Sequence, residues 1–449
     1  MLDWLSESAR TRPDHPYLVT PEAGWSYRRA DEHCWRLAAG LHGRGVGPDT
    51  RVGLWATNSV ETVLMLFAVW RVGGEVVLVN RRLTVDEATG QLATAGVTVL
   101  TGSGAPDLGP GWIDPGVLVA DSSIPAAKVE GSATALIVFT SGTAGTPKAV
   151  RLTHANLAAS ILASIEAVDH VPEDRWLANL PLFHIGGVMI PLRCAAVGAT
   201  TLLEPGFDAV RSAEVLATGQ ASLASLVAQT LESTLAVTDR FEGVRAVLVG
   251  GGPVPEDLVQ RAVAHGLPAL RTYGMTETAS QVATERHPGA GLTAVAGAEL
   301  QVRGGRVEVR GPMVSPGYLG DPDRAPEAWF QTGDRGEVDA NGRLTVLGRA
   351  DAVIITGGEN VSPEEVEAVI RSHPGVADVV VVGIPDARWG SMLVAVYEGA
   401  AGAGELDRHV RYRLAGFKVP KGWNRVESLP RTSIGKVDRL AATRLASGS

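Results

Sequence analysis

The feature that most limits what this chain can fold into is a repeated change of hydrophobic period. Short runs such as Leu136-Ile137-Val138-Phe139 and Ala246-Val247-Leu248-Val249 alternate with Ala-, Leu- and Arg-rich stretches of helical length through most of residues 1–350. Strands this apolar need cover on both faces, and the returning helices supply it, so the pattern predicts α/β layers around a sheet. Both runs end in glycine-bearing loops, Ser141-Gly142 and Gly250-Gly251-Gly252. Ligands of α/β sheets gather beyond the carboxyl ends of strands, so the two loops are expected to form one composite site. No fixed-period repeat is present, which excludes a solenoid.

Past Gly317 the pattern changes. Glu337-Val338 and Arg343 to Leu347 flank Asp339-Ala340-Asn341-Gly342, a hairpin signal in which Asn-Gly is expected to supply the positive φ angles. Ser362-Pro363-Glu364-Glu365 predicts a helix start with a capping serine, proline at the first position and Glu at N3; Val366, Val369 and Ile370 share one face. Strands over 379–382 and 392–396 and a helix near 405–414 then make a compact α+β tail. Residues 102–131, rich in Gly, Pro, Asp and Ser, read as irregular surface chain.

Charge and cysteine content remove several function classes. Lys plus Arg total 40 against 49 Asp plus Glu, a net charge of −9 that opposes broad attraction to a nucleic-acid backbone and leaves room only for a local phosphate pocket. Cys34 and Cys194 are too few for a disulfide framework, so two buried thiols and a reducing cytoplasm are expected. The N-terminus carries no secretory pattern, and the apolar stretch Val60 to Val79 is broken by Glu61, Arg71 and Glu75, which opposes a membrane span.

In Phe139-Thr140-Ser141-Gly142-Thr143-Ala144-Gly145-Thr146-Pro147-Lys148, hydroxyls, glycines and a terminal lysine follow an expected strand. Glycines let backbone N–H groups approach phosphate oxygens, hydroxyls donate further bonds, and lysine adds a point charge. It is not a Walker A loop, because Pro147 precedes the lysine and the spacing between glycines is too short. The same composition also suits a plain surface loop.

Four further segments follow in order: Tyr273-Gly274-Met275-Thr276-Glu277-Thr278, Thr332-Gly333-Asp334, Gly348-Arg349-Ala350-Asp351 and Pro430-Arg431-Thr432-Ser433-Ile434-Gly435-Lys436. With the loop at 140–148 they resemble the adenylate-forming superfamily of acyl-CoA synthetases, peptide-synthetase adenylation domains and luciferases. The resemblance runs along nearly the whole chain. It implies an α/β fold with a large N-terminal lobe of α/β subdomains, residues 1–350, and a small mobile α+β C-terminal lobe, residues 351–449, with the hinge at Asp351.

The resemblance also implies a site. Thr140, Ser141, Gly142, Thr143, Gly145, Thr146 and Lys148 match the loop for the β and γ phosphates of ATP, while Ala144 departs from the usual Thr, Ser or Glu. Gly250, Gly251 and Gly252 would form the adenine-side loop, with Tyr273 against the ring, Thr276 at the α-phosphate and Glu277 on Mg²⁺. Asp334 would take the ribose hydroxyls and Arg349 would add a cation nearby. Lys436 would lie between the attacking carboxylate and the α-phosphate, where a cation stabilises the transition state more than the ground state. His184 would border the acyl pocket and thiol tunnel, and Gly357 and Gly358 would line the pantetheine tunnel. Taken singly, each has a plain alternative: a solvated Glu or tail Lys, a strand-ending glycine turn, a core histidine.

The implied activity is an AMP-forming acid–thiol ligation using ATP, Mg²⁺, a small carboxylic acid and coenzyme A, through an acyl-adenylate. Residues 273–281 and 355–360 look most like the 2-succinylbenzoate:CoA ligases of menaquinone biosynthesis. Alternatives are a medium-chain fatty or aryl acyl-CoA synthetase, a free-standing carrier-protein-loading adenylation enzyme, and an inactive nucleotide-binding regulatory homologue. Retention of Glu277, Asp334, Arg349 and Lys436 weighs against the last. Gly186, Gly187, Gly251 and Gly252 beside Phe183, Val188 and Val249 are expected to leave a ring slot, and Gln229, Thr230, Ser280 and Gln281 to supply donors for a second carboxylate. A cytoplasmic enzyme without nucleic-acid partner or membrane span is expected, and a homodimer is left open.

Overall fold

The computed structural model describes residues 3–106, 108, 111–140, 147–349, 354–356, 359–386, 388–414, 416–432 and 436–447. The chain forms two compact units, one of residues 1–300, 309–330 and 340–344, the other of residues 301–308, 331–339 and 345–449.

In the first unit, seven described strands form a sheet in the order Gly317–Tyr318, Lys148–Thr153, Thr134–Thr140, Glu75–Val79, Arg51–Trp55, Val99–Thr101, Trp112–Ile113. Val76, Val77, Leu78 and Val79 in its middle are at most 2% exposed, as a strand covered on both faces must be. A second sheet of nine described strands runs Thr293–Ala294, Ser280–Thr284, Ala269–Met275, Ala246–Val249, Leu223–Leu226, Arg175–Ala178, Thr200–Leu203, Pro16–Val19, Gly24–Ser26. The two glycine-bearing loops therefore leave strands of different sheets.

The helix Val60–Arg71 shows why the long apolar stretch is core. Ser59 caps it by accepting from the Thr62 N–H, every residue from Thr62 to Arg71 is buried, and the chain turns at Gly73 with φ 87°. Arg71 at its end has a fully buried side chain, yet its guanidinium meets Asp3, Asp31 and the Ser6 hydroxyl and lies 4.5 Å from the Trp35 ring centre. Among the described residues no helix is long and apolar enough to cross a membrane. Cys34 and Cys194 are free and buried, and burial pushes both thiols up to about 12.

The second unit contains Val376–Asp386 paired antiparallel with Gly390–Gly399, which pairs parallel with Gly422–Val426. Alternation sorts the valines by face. Val379 and Val381 pack with Val366, Ile370, Leu406 and Val410 from the helices Pro363–Arg371 and Ala403–Arg411, whereas Val380 and Val382 pack with Ala442 from the helix Arg439–Ser447.

Three local expectations are corrected. In the 339–343 connection only Gly342 has positive φ, at 75°; the five-residue loop does not need the two-residue turn that would place Asn341 there as well. Ser362 precedes the helix Pro363–Arg371 without capping it: its hydroxyl donates to Glu364 Oε2 instead, while Glu365 pairs with Lys418. The 102–131 segment is not all surface, since a 3₁₀ turn at Pro115–Leu118 buries Leu118 completely. Gly40 makes that contact feasible, because a Cβ there would lie 1.5 Å from the Leu118 carbonyl oxygen.

Candidate active site

The strands Thr134–Thr140 and Lys148–Thr153 pair antiparallel with Thr140 opposite Lys148, so the two ends of the glycine-rich loop are held side by side. Ser141, Gly142, Thr143, Ala144, Gly145 and Thr146 lie outside the described residues. The exposed Lys148 places its Nζ 4.9 Å from the centre of the Tyr318 ring. Tyr318 belongs to the short strand Gly317–Tyr318, which pairs with Arg151 and Val150.

At the hydroxyl end of this ring lies Glu277. The Tyr318 hydroxyl donates to Glu277 Oε1 at 3.0 Å, and the Ser315 N–H donates to the Glu277 carbonyl at 2.8 Å. Glu277 sits in the 3₁₀ turn Thr276–Thr278 that ends the strand Ala269–Met275. Thr278 Oγ1 fixes this turn, accepting from the Met275 N–H at 3.0 Å and donating to the Ser280 carbonyl at 2.7 Å. Directly after it Ala279 (φ 50°) and Ser280 (φ 103°) take left-handed backbone, an arrangement that costs roughly 1–3 kcal/mol per residue and persists only where neighbours enforce it. Ser160 does so by donating to the Ala279 carbonyl at 2.6 Å, and Gly274 by leaving space: a Cβ there would fall 1.9 Å from the Ser280 carbonyl oxygen. Lys148 and Glu277 are thereby both in contact with Tyr318, whereas the composite of the Ser141-Gly142 loop with Gly250 to Gly252 expected from the sequence falls partly outside the described residues.

Gly250 begins the loop after the strand Ala246–Val249, where a Cβ would lie 2.4 Å from Thr272 Oγ1. Gly251 has φ 77°, and Gly252 faces open space. Tyr273, beside Thr272, is half-buried and paired with Ala283.

His184 precedes the helix Ile185–Val197 and stacks obliquely on Phe183, with ring centres 4.7 Å apart. Gly187 is not part of a ring slot: its missing Cβ admits the Pro181 carbonyl, which would otherwise be 2.1 Å away, whereas Gly186 has nothing closer than Leu180 at 3.8 Å. Among the expected carboxylate donors, Thr230 Oγ1 is occupied with the Val227 N–H and carbonyl, and buried Gln281 bonds Thr284. Ser280 is different. Its hydroxyl accepts at 3.1 Å from Arg193, a residue of the same helix that sequence reasoning missed. Arg193 is 2% exposed, its Nε has no hydrogen-bond partner, and no ion pair to it is found among the described residues. Burial pulls its guanidinium down to about 10, leaving it charged at neutral pH, and the Trp176 ring centre lies 5.5 Å from it. The available sequence signal was one arginine inside Ile185-Gly186-Gly187-Val188-Met189-Ile190-Pro191-Leu192-Arg193, an otherwise uncharged run.

In the second unit Asp334 and Arg349 are neighbours. Arg349 Nη1 lies 3.4 Å from Asp334 Oδ1 and donates to the Thr332 carbonyl at 3.2 Å, and a Cβ on Gly333 would stand 2.8 Å from Arg349 Nη2. Lys436 is exposed at the closing end of a narrow hairpin, where its carbonyl accepts from the Thr432 N–H at 2.7 Å. Asp351, Gly357 and Gly358 lie outside the described residues.

Residues 5–319 match the AMP-binding enzyme family, and residues 365–436 match the AMP-binding enzyme C-terminal domain. The chain belongs to the AMP-binding enzyme family. It is 34% identical to the 2-succinylbenzoate–CoA ligase of Listeria monocytogenes serotype 4b over 459 aligned positions, covering 98% of both chains. Its fold matches the o-succinylbenzoate CoA synthetase of Bacillus subtilis in complex with the acyl-adenylate intermediate OSB-AMP, with a TM-score of 0.91, 30% identity and 97% coverage of both chains. The same Bacillus enzyme in complex with ATP and magnesium ion gives a TM-score of 0.90 at 30% identity, covering 97% of this chain and 98% of that one.

The donor set suits magnesium. Mg²⁺ is commonly held through one or two carboxylates with phosphate oxygens and waters completing its shell. Glu277 presents such a carboxylate, with one oxygen steadied by the Tyr318 hydroxyl and the cation Lys148 over the face of the same ring.

Proposed function

We propose that the chain is an ATP- and Mg²⁺-dependent 2-succinylbenzoate:CoA ligase working through an acyl-adenylate. A carboxylate oxygen of the acid attacks the α-phosphorus of ATP and pyrophosphate leaves; the thiolate of CoA then attacks the acyl carbonyl and AMP leaves. In this reading Lys148 and the 140–146 loop take the β and γ phosphates, Thr276 the α-phosphate, and Glu277 the metal. The glycines at 250–252 and Tyr273 accommodate adenine, while Asp334 and Arg349 serve the ribose. Lys436 supplies the cation between carboxylate and α-phosphate, His184 borders the acyl group, Gly357 and Gly358 line the thiol path, and Asp351 is the hinge between the 1–350 and 351–449 lobes. Magnesium held by Glu277 would supply positive charge to offset the negative charge that builds on the leaving pyrophosphate.

The observation that carries the acid specificity is Arg193. A buried guanidinium with one hydrogen bond to Ser280 is incompletely compensated, and the carboxylate of 2-succinylbenzoate that does not react matches its charge and fork geometry. Benzoate and octanoate lack that second anion. Pyrophosphate release measured across the three acids tests this: 2-succinylbenzoate should exceed both others at least about tenfold in kcat/KM. Octanoate turnover equal to or above it would reassign the chain to medium-chain fatty acids.

A further inference from the structure

Tyr318 touches two charged groups of the candidate nucleotide site, Glu277 and Lys148, and no motif drew attention to it. Its hydroxyl meets Glu277 Oε1 at 3.0 Å while its ring centre lies 4.9 Å from Lys148 Nζ. The residue is well anchored for such a task. Its backbone pairs with Val150, two residues after Lys148 in the strand Lys148–Thr153, and Leu319 N–H donates to the Ala149 carbonyl at 2.8 Å. The preceding segment is tied down by Ser315, whose hydroxyl donates to the Arg151 carbonyl at 2.6 Å and accepts from the Gly317 N–H at 3.0 Å, and whose N–H holds the Glu277 backbone. Asn156 adds bonds from its side-chain amide to the carbonyls of Pro312 and Val314 at 2.7 and 3.0 Å. Gly317, at φ 142°, makes the turn that brings Tyr318 onto the strand.

We propose that Tyr318 is a positioning residue for metal–nucleotide binding, orienting the Glu277 carboxylate through its hydroxyl and the Lys148 ammonium through its ring. The proposal rests on the assignment of Glu277 to Mg²⁺ and Lys148 to the distal phosphates. The two contacts are physically separable. A phenol donating to Oε1 fixes the plane of the carboxylate and leaves Oε2 for a cation, so removing only the hydroxyl loosens the metal ligand. The negative face of the ring restrains the lysine against solvent, an interaction that any six-membered aromatic ring preserves. Without this bridge, an exposed lysine and a loop carboxylate would each sample many rotamers, and ordering them would oppose binding.

The test is calorimetric titration of ATP into the full chain without acid substrate, in chelator and then over a Mg²⁺ series. Tyr318→Phe should raise the Mg²⁺ concentration for half-maximal enhancement of ATP binding about five- to tenfold, with metal-free ATP affinity unchanged. Tyr318→Leu should show the same metal effect and also weaken metal-free ATP binding about threefold. Glu277→Gln is the control for the underlying assignment. If it shifts the Mg²⁺ dependence while Tyr318→Phe does not, Tyr318 has no positioning role and the reading of Glu277 stands. If Glu277→Gln leaves the dependence untouched, the metal assignment fails and the proposal falls with it. Equal losses in both variants under both conditions would reduce Tyr318 to a structural residue, which a drop in melting temperature of the Phe variant would accompany.

Discussion

Arg193 sets the energetics at the level of single residues. Removing one member of a buried charge pair leaves the other uncompensated and costs about 2–5 kcal/mol, so Arg193→Met should lower kcat/KM for 2-succinylbenzoate at least about thirtyfold. Benzoate has no group to pair with it and should be turned over as well as before. Stability should hold or rise, because methionine replaces a guanidinium that has one hydrogen bond and an unpartnered Nε in an apolar setting. A parallel fall for both acids would place Arg193 in the scaffold rather than in recognition. The contrast with Glu277 shows what a sequence can display. Glu277 lies in a six-residue segment that advertises itself, whereas Arg193 and Tyr318 gain meaning only from Ser280, Glu277 and Lys148, which stand 87, 41 and 170 positions away. Gly187 misled in the opposite direction, since the absence of a side chain reads as room for a ligand until the Pro181 carbonyl is seen in its place.

The element that carries Lys436 is a hairpin fastened at its base. The Thr432 N–H donates to the Lys436 carbonyl, the Asp438 N–H donates to the Pro430 carbonyl at 2.8 Å, and Arg431 bridges to Val437. Two arginines fix it to the second unit's sheet and helix: Arg431 to Asp378 at 2.8 Å, and Arg439 to Glu367 at 2.8 Å with a donation to the Val381 carbonyl at 2.9 Å. A lysine on a fraying tail would lose its placement to side-chain and backbone entropy, and these anchors limit that loss. Arg431→Ala should therefore slow acyl-adenylate formation about three- to tenfold while leaving thioester formation from supplied acyl-adenylate within twofold, by the reasoning that one charge-assisted bond is removed. Equal slowing of both half-reactions would sink the idea. The sequence displayed Pro430 to Lys436 as a segment, yet not its anchors, because Asp378 and Glu367 are ordinary surface-type residues until the strand Val376–Asp386 and the helix Pro363–Arg371 bring them in. The absence of the expected cap at Ser362 has a similar origin: the helix starts where the pattern puts it, but the Ser362 hydroxyl turns to Glu364 and Glu365 is engaged by Lys418, 53 residues further on.

At the scale of the whole molecule, the α/β layering was legible because it rests on period alone, and periodicity survives without knowledge of partners. What period does not show is which polar side chains the core swallows. His154 and His170 bracket the helix His154–Ala167 in the first unit. His154 packs edge-on to Trp70 at 5.5 Å and His170 edge-on to Trp176 at 5.0 Å, with both ring nitrogens of His170 lacking a partner. Burial pulls each imidazole down to about 4; around His170, Arg193 and Arg245 act in the same direction and Asp174 in the opposite one. The sign follows from linkage: the unfolded chain binds these protons near pH 6.5, while the folded chain refuses them until about pH 4. Their contribution to stability is thus complete above about pH 6.5 and is lost as pH falls towards 4, with a slope approaching about 2.7 kcal/mol per pH unit when both act together. Only the upper part of this window, above about pH 5, lies clear of the carboxylates whose values burial does not raise, as it does for Glu367. Urea midpoints between pH 7.5 and 4.5 should show the decline, to which His15, His33 and His409 add in the same direction, and His170→Phe should remove about half of the share due to His154 and His170 while costing little at pH 7.5, because phenylalanine keeps the contact with Trp176 and carries no unpartnered nitrogens. An unchanged slope in that variant would mean that His170 is protonated in the folded chain and that another group controls the acid limb.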